Sequence, residues 1–225
     1  MVAQEVLVRD DITFEERYLR TKRMIDIAFT LLALIPVSLI MLVTAIIIRL
    51  DSPGPAIYKQ TRIGHNGSKF TFYKFRSMYY NVASDTHEKA IVTWMNGSDQ
   101  LNHDDKDKPY KLVDDSRVTR IGKFIRKTSI DELPQLWNIV KGDMSIVGPR
   151  PPIEYEVMRY SARDFLRLSG KPGLTGTWQV YGRGRVAFPE MVNQDIQYLE
   201  TQSLRYDLKL MFLTVPVMIT GRGGA

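Results

Sequence analysis

The longest apolar run in the chain covers residues 28–48 and contains no charged residue. As a straight helix it would extend about 31 Å, which is enough to cross the hydrocarbon core of a bilayer. Pro36 lies near its middle, where a proline removes one backbone hydrogen bond and bends a helix. The pattern therefore predicts a membrane helix that is broken at Pro36.

Basic residues flank this run on both sides, and the positive-inside rule draws both flanks to the cytoplasm. A helix that enters the bilayer, bends and returns satisfies both flanks, whereas a kinked spanning helix satisfies only one. Both interpretations stay open at this point, since proline is tolerated in spanning helices. The length of the run, the charged segment before it and the lack of a small-residue cleavage site disfavour a cleavable signal peptide. The flanking cations are Arg17, Arg20, Lys22, Arg23, Arg49, Lys59, Arg62, Lys69, Lys74 and Arg76.

Periodicity predicts two further elements. The alternation from Phe70 onward is typical of a strand that places Phe72, Lys74 and Arg76 on one face. Residues 204–219 are predicted to form a partly amphipathic helix that is interrupted at Pro216. This helix suits either a core position or the membrane interface.

The stretch 79–115 is polar, and we interpret it as a variable insertion that packs loosely. It contains an acidic group at Asp104, Asp105 and Asp107. A solvated loop is the favoured interpretation of these carboxylates, and a divalent-ion site is the alternative.

The composition limits the partners and the catalytic groups that the chain can have. The formal charge of +6 and the pI near 9.4 indicate an anionic partner, which can be nucleic acid, a phosphate substrate or an acidic membrane surface. The chain has no cysteine, which excludes disulfides and thiolate catalysis, and its three histidines show no ligand spacing. Any metal ion should therefore be held by oxygen atoms.

The segment 126–151 combines adjacent carboxylates with arginines. Ser129 followed by Glu132 is a capping box, and Pro134 favours Asp131 as the N-cap of a helix. The same position suits catalysis, because a carboxylate at a helix start stays ionised where phosphate oxygens also bind. Capping and catalysis therefore both remain open for Asp131.

Two arginines of this segment suit a phosphate. Arg150 is enclosed by Pro149 and Pro151, whose fixed φ angles limit how far the guanidinium moves. Arg126 precedes Asp131 by five residues, and its alternative interpretation is a solvated charge.

These motifs resemble the bacterial sugar transferases, and among them the monotopic phosphoglycosyl transferases. The resemblance runs from about Lys22 to the C-terminus and rests on four segments. Two departures are Ile35, where the family usually has serine, and Lys171, where it usually has arginine. The segments are Gln-Thr-Arg-Ile-Gly at 60–64, Tyr-Lys-Phe-Arg-Ser-Met at 73–78, the whole of 126–151, and Lys-Pro-Gly-Leu-Thr-Gly-Thr-Trp-Gln-Val-Tyr-Gly-Arg at 171–183.

The resemblance implies an α/β fold, mostly helical with short strands, that is anchored in the membrane. It implies an N-terminal cytoplasmic segment at 1–21, a re-entrant membrane helix at 22–50 and a catalytic domain at 51–225 with interfacial amphipathic helices. The protein would lie in the bacterial inner membrane with its catalytic domain on the cytoplasmic face. A homo-oligomer is left open.

The reaction implied is transfer of a sugar 1-phosphate from a UDP-sugar to polyprenyl phosphate, with release of UMP. Asp131 would be the nucleophile and Glu132 its partner, and both would hold Mg²⁺, which neutralises the charge of a diphosphate. The rival class is a non-catalytic membrane adaptor that binds anionic lipid and uses its carboxylates only as caps. No nucleic-acid partner is expected, since no groove-reading helix is recognisable. Further implied contacts are Lys74, Arg126 and Arg150 to the substrate phosphates, Arg183 to phosphate or nucleotide, and Arg62 as a headgroup contact or a plain surface charge.

Overall fold

A computed structural model describes residues 15–81, 91–95, 115–182 and 186–220. As predicted, the fold is mostly helical with short strands. The main elements are α1 (Glu16–Asp51), β1 (Ile57–Ile63), β2 (Lys69–Phe75), α2 (Arg120–Lys127), α3 (Gln135–Lys141), β3 (Ser145–Val147), α4 (Glu154–Val157), β4 (Gly173–Thr175), α5 (Phe188–Thr201) and α6 (Leu204–Thr220).

The apolar run lies within α1, which is long and apolar enough to cross a membrane. The helix begins at Glu16, before the predicted boundary at residue 22, and it continues through Pro36 to Asp51, so the predicted break at Pro36 is not observed. One side contacts the rest of the protein at positions that recur every three or four residues up to Ile48. The opposite side is exposed, with Ile35 at 75% and Leu39 at 67%. An exposed apolar surface of this kind indicates membrane anchoring.

The first turns of α1 are held by buried polar contacts. Lys22 forms an ion pair of 2.8 Å with Asp207 of α6. The same carboxylate accepts hydrogen bonds from the hydroxyls of Tyr18, at 2.8 Å, and Tyr198, at 2.6 Å. Since both α5 and α6 contribute to this group, the start of α1 is fixed to the C-terminal part of the domain.

The last turn of α1 is held by Arg76. Its buried guanidinium donates to the carbonyls of Ile48, Ser52 and Pro53 at the helix C-terminus, where carbonyls have no partner within the helix. Arg76 therefore does not join Lys74 at an exposed surface, as the alternation had suggested, and β2 ends one residue earlier.

The antiparallel hairpin of β1 and β2 leaves one edge of β2 unpaired, and α3 covers it. The fully buried amide of Asn138 accepts from the backbone nitrogen of Tyr73 at 3.2 Å and donates to the carbonyl of Thr71 at 2.7 Å. Asn138 thus substitutes for a neighbouring strand. It fixes α3 against the strand that carries Lys74.

The insertion is better packed than predicted where the structure describes it. Residues 91–95 are helical, and the ring of Trp94 lies 5.3 Å from that of Phe188 and 6.4 Å from that of Trp178. Ile91 joins the same buried cluster. The expectation of loose packing is therefore wrong for this segment, because its apolar side chains fill the core beside α5. The acidic residues 104–107 lie outside the described residues.

Helix α6 continues through Pro216, so the predicted interruption is not observed, and its two sides differ in burial. Leu210 is fully buried against β3 and α5, while Leu208, Phe212 and Val215 are exposed. One side of the helix is thus a core element. The other side offers apolar side chains to its surroundings.

Trp94 provides a test of the packed insertion. We expect Trp94→Ala to lower the free energy of unfolding by about 3–5 kcal/mol, as for other buried aromatic side chains. Thermal unfolding of the full chain in detergent would measure the loss. Trp137→Ala is the matched control, because Trp137 is 56% exposed and should cost far less. Equal effects of the two changes would show that the insertion does not contribute to the core.

Candidate active site

Asp131 lies in a short 3-10 turn, Ile130–Glu132, between α2 and α3. Ser129 enters this turn with a left-handed backbone, φ 55°, and its side chain makes no capping hydrogen bond. Pro134, and not Asp131, stands at the N-cap of α3. The capping box and the N-cap assignment of Asp131 are therefore both wrong. The extra turn takes up the residues that would have started the helix.

The side chain of Asp131 forms an ion pair with Lys74. The Lys74 Nζ lies 2.7 Å from Oδ2 of Asp131, whose side chain is only 4% exposed while that of Lys74 is 29% exposed. A carboxylate this deeply buried is costly unless an opposite charge accompanies it. The lysine supplies that charge from the solvent side, where an anionic substrate would arrive.

Glu132 and Arg126 flank this pair along the chain. Glu132 follows Asp131 on the same turn and is partly buried. Arg126 lies in the last turn of α2, immediately before the 3-10 turn. Arg126 also acts on Asp115: hydrogen bonds from Arg117 chiefly, and the charge of Arg126 in part, hold the pKa of that carboxyl below its usual range.

The proline-rich segment 149–152 is held by its carbonyls. Prolines have no N–H group, so backbone bonds here depend on donors from elsewhere. All four successive carbonyls accept such a bond, and the donors come from β1, β4 and two arginines. The pairs are Pro149 with the nitrogen of Gly173 (2.8 Å), Arg150 with Nη2 of Arg167 (3.2 Å), Pro151 with Nη1 of Arg62 (2.8 Å) and Pro152 with the nitrogen of Ile63 (3.0 Å).

The side chain of Arg150 meets a buried carboxylate. Its Nη1 lies 3.1 and 3.3 Å from the two carboxylate oxygens of Glu156, and its Nη2 lies 3.4 Å from one of them. Burial alone would raise the pKa of Glu156, but the charges of Arg150, Arg62 and Arg167 outweigh burial and hold it below its usual range. Glu156 is therefore an ionised group among three guanidinium groups.

Arg62 is partly buried and makes contacts within the protein, so it is not a plain surface charge. It donates to the carbonyl of Pro151 and, at 3.0 Å, to the side chain of Gln60, and its guanidinium lies 5.0 Å from the ring centre of Phe72. Burial and the neighbouring charge of Arg150 lower the pKa of Arg62 to about 10. Arg62 therefore supports the proline-rich segment from inside the protein.

The hairpin relates the two charged groups in space. Residues paired across an antiparallel ribbon share a face, and Lys74 pairs with Tyr58 while Arg62 pairs with Phe70. Arg62 and Lys74 therefore lie on the same face, separated by four residues of β1, or about 13 Å at the usual strand rise. The Lys74–Asp131 pair marks one end of this face and the Arg62–Arg150 group the other.

Backbone contact joins the two glycine-rich motifs. A β-carbon added at Gly173 would lie 2.1 Å from the backbone nitrogen of Gly148, and one added at Gly176 would lie 2.3 Å from the Gly148 carbonyl oxygen. The strands β3 and β4 pair in parallel beside these contacts, and Gly173 is the first residue of β4. Only glycine permits such an approach. The segments around 148–152 and 171–176 consequently form one rigid unit.

The predicted contact Arg183 lies outside the described residues. The motif that leads to it continues from β4 into a π-helical turn, Trp178–Gly182. Such turns are rare and frequently occur at functional sites.

The carboxylate turn suits Mg²⁺ to a limited extent. Within residues 15–81, 91–95, 115–182 and 186–220, no group of three or more acidic or histidine side chains could hold a metal ion. Mg²⁺, however, is usually bound by one or two carboxylates together with substrate phosphates and water. Asp131 and Glu132 provide that number of carboxylates.

Sequence reasoning missed Glu156, Arg167 and Asn138. Glu156 and Arg167 lie outside the matched motifs. Asn138 lies within 126–151, but the sequence indicated no role for it. Their roles depend on contacts between distant parts of the chain, such as Arg167 with Asp195 of α5. The signal that could have indicated these three residues is a polar or charged side chain among apolar neighbours in the sequence.

Comparison with known proteins identifies one family model and several similar proteins. Residues 17–221 match the family model described as bacterial sugar transferase. The chain is 42% identical to the galactosyl transferase CpsE of Streptococcus agalactiae over 93% of this chain, but it spans only 44% of that protein.

Two further relatives are more similar in length. One is the exopolysaccharide production protein ExoY of Sinorhizobium fredii, 38% identical over 90% of this chain and 87% of the relative. The other is the UDP-glucose:undecaprenyl-phosphate glucose-1-phosphate transferase of Caulobacter vibrioides, 38% identical over 88% of this chain and 70% of the relative.

Removal of Lys74 tests how much the burial of the Asp131 carboxylate destabilises the fold when its partner is absent. We expect Lys74→Met to lower the free energy of unfolding by about 2–3 kcal/mol, because Asp131 then remains buried without its partner. Lys69→Met is the matched control. Its ion pair with Glu154, at 2.6 Å, is about half exposed on both sides and should contribute less than about 1 kcal/mol. Chemical unfolding of both variants would compare them, and equal losses would contradict a buried pair at Asp131.

Proposed function

Since the chain belongs to the bacterial sugar transferase family, we propose that it transfers a sugar 1-phosphate from a UDP-sugar to undecaprenyl phosphate. The Caulobacter relative is named for this type of reaction. The observation that carries the proposal is the Lys74–Asp131 ion pair on the turn between α2 and α3. The pair supplies an ionised carboxylate and a cation where a phosphate can bind.

In the first step the Oδ of Asp131 attacks the phosphorus that carries the sugar. An acyl phosphate bond forms, the bond from that phosphorus to the bridging oxygen breaks, and UMP leaves with the electron pair. Lys74 orients Asp131 through their ion pair, and it neutralises part of the charge that accumulates on the phosphate oxygens. One difficult displacement is thereby divided into two easier ones.

In the second step a phosphate oxygen of undecaprenyl phosphate attacks the same phosphorus. The bond to Asp131 breaks, the carboxylate is regenerated, and the sugar is left on a lipid-linked diphosphate. Because both phosphate groups are anionic, the cations around the turn are needed in this step too. A lipid-linked sugar of this kind would begin a polysaccharide or glycoconjugate repeat.

Mg²⁺ is the proposed cofactor, and Asp131 and Glu132 are the residues that would hold it. When bound, it supplies neutralisation of the diphosphate charge. Arg126, at the end of α2, would bind phosphate beside this turn, and Arg150 would bind it from the proline-rich segment. Arg183 keeps its proposed contact with phosphate or nucleotide.

The membrane placement is also proposed. Both ends of α1 are held by the same domain, through Asp207 at the start and Arg76 at the end. A helix whose two ends contact one cytoplasmic domain suits a re-entrant or interfacial position and disfavours a full crossing. The catalytic domain would then lie on the cytoplasmic face, at the depth of the lipid headgroups.

Asp131→Asn tests the nucleophile. Asparagine has nearly the same size but cannot form the acyl phosphate, so turnover should fall by several orders of magnitude while the protein stays folded. Incubation of the wild type with UDP-sugar and Mg²⁺, without acceptor, should release UMP and leave a phospho-sugar on Asp131. Mass spectrometry of peptides would locate this adduct.

Glu132→Gln serves as the control for the neighbouring carboxylate. It should retain the adduct on Asp131 and react more slowly. Full activity of Asp131→Asn, or an adduct on Glu132, would contradict the assignment.

Cysteine labelling tests the membrane placement, and the absence of cysteine in the chain makes single-cysteine variants straightforward. Cysteines introduced separately at Gln4 and Ser68 should both resist an impermeant reagent added from the periplasmic side. Both should react after the membrane is opened. Labelling of Gln4→Cys alone from the periplasm would show that α1 crosses the bilayer.

A further inference from the structure

Glu156 occupies an unusual position for a carboxylate. It lies in α4, is fully buried, and contacts the guanidinium group of Arg150 through both of its oxygens. The charges of Arg62 and Arg167 act on it as well. Since Glu156 is 0% exposed, it does not reach a substrate itself.

The arginines around Glu156 fix the backbone beside Arg150. Arg167 donates to the Arg150 carbonyl and Arg62 to the Pro151 carbonyl, so both arginines hold the segment that carries the Arg150 side chain. Arg167 is fixed in turn by the Tyr160 hydroxyl, at 2.7 Å, and by the Asp195 carboxylate. The backbone and the side chain of Arg150 are therefore oriented by one connected set of contacts.

The arginines of this set differ in exposure. Three guanidinium groups, of Arg62, Arg150 and Arg167, lie near the carboxylates of Glu156 and Asp195. The side chain of Arg150 is 21% exposed, whereas that of Arg167 is fully buried. An anion that approaches this group from solvent would therefore meet Arg150.

We propose that Glu156 is a positioning residue that sets where the Arg150 guanidinium stands for the diphosphate of the UDP-sugar. The inference rests on the proposed function. Glu156 acts through Arg150, because without the carboxylate the neighbouring guanidinium groups repel one another and the Arg150 side chain loses its fixed orientation. A fixed donor fork binds phosphate better than a mobile one, since less side-chain entropy is lost on binding.

The first experiment measures binding without turnover. Isothermal titration calorimetry of the full chain in nanodiscs with UDP, without acceptor, should show about tenfold weaker binding for Glu156→Gln, the size expected when one charge-assisted hydrogen bond is lost. Arg150→Lys should weaken binding similarly. The double variant should be no weaker than Arg150→Lys alone, because the two residues act through one contact.

Glu154→Gln is the matched control, since Glu154 lies on the same helix and forms an exposed ion pair with Lys69. It should leave UDP binding unchanged. A purely structural role of Glu156 predicts additive effects of the two site changes. Additive effects, unchanged binding in Glu156→Gln, or no UDP binding by the wild type would overturn the proposal.

Turnover gives a second readout. Glu156→Gln should raise KM for the UDP-sugar about tenfold and leave kcat and the KM for undecaprenyl phosphate within about twofold. If Glu156→Gln does not fold, Glu156→Asp keeps the charge, withdraws the carboxylate from Arg150 and should show the same split in smaller measure. Equal changes in both KM values would contradict the positioning role. UDP binding that depends on Glu156 in a protein that releases no UMP would contradict the proposed function and leave this inference standing.

Discussion

The proline-rich segment that carries Arg150 depends on donors from the rest of the protein, because three of its four residues have no N–H group of their own. Two of these donors are guanidinium groups, and buried guanidinium groups require a compensating charge. Glu156 provides much of that compensation. The placement of Arg150, and of α5 through Arg167, thus depends on one buried network of opposite charges. The strands β1 and β4 bind the same segment through backbone nitrogens.

This network and the Lys74–Asp131 pair divide the charged face between two tasks. Asp131 is a buried carboxylate covered by a partly exposed cation, which suits a group that reacts with phosphate. Glu156 is a buried carboxylate surrounded by several arginines, which suits a structural group that does not contact substrate. The difference lies in the number and the exposure of the cations. The hairpin connects the two sites and fixes their separation, because its register is set by seven paired residues on each strand.

Several features were predictable from sequence because they depend on local patterns. The apolar run, the strand around Phe72 and the close spacing of Arg126, Asp131 and Arg150 could be recognised without tertiary structure. The failures concern side chains whose partners are distant in sequence. Capping was one of two interpretations of Asp131, but Lys74 binds its side chain instead. The alternation placed Arg76 on one face with Lys74, but the end of α1 binds Arg76. Insertion residues 91–95 were misjudged for the same reason, since their partners lie in α5.

Contacts between distant residues also affect how α1 is placed in the membrane. Counting basic residues on both flanks of α1 treats every cation as solvated, yet Lys22 pairs with Asp207 and Arg76 with backbone carbonyls. These two cations contribute less to the positive-inside rule than the sequence suggests, because Lys22 is paired with a carboxylate and Arg76 is buried against backbone carbonyls. They instead bind the two ends of the helix to the domain. These contacts, more than the number of basic residues, therefore support a helix that enters and leaves on one side. A spanning helix would have to break the contacts at one of its ends.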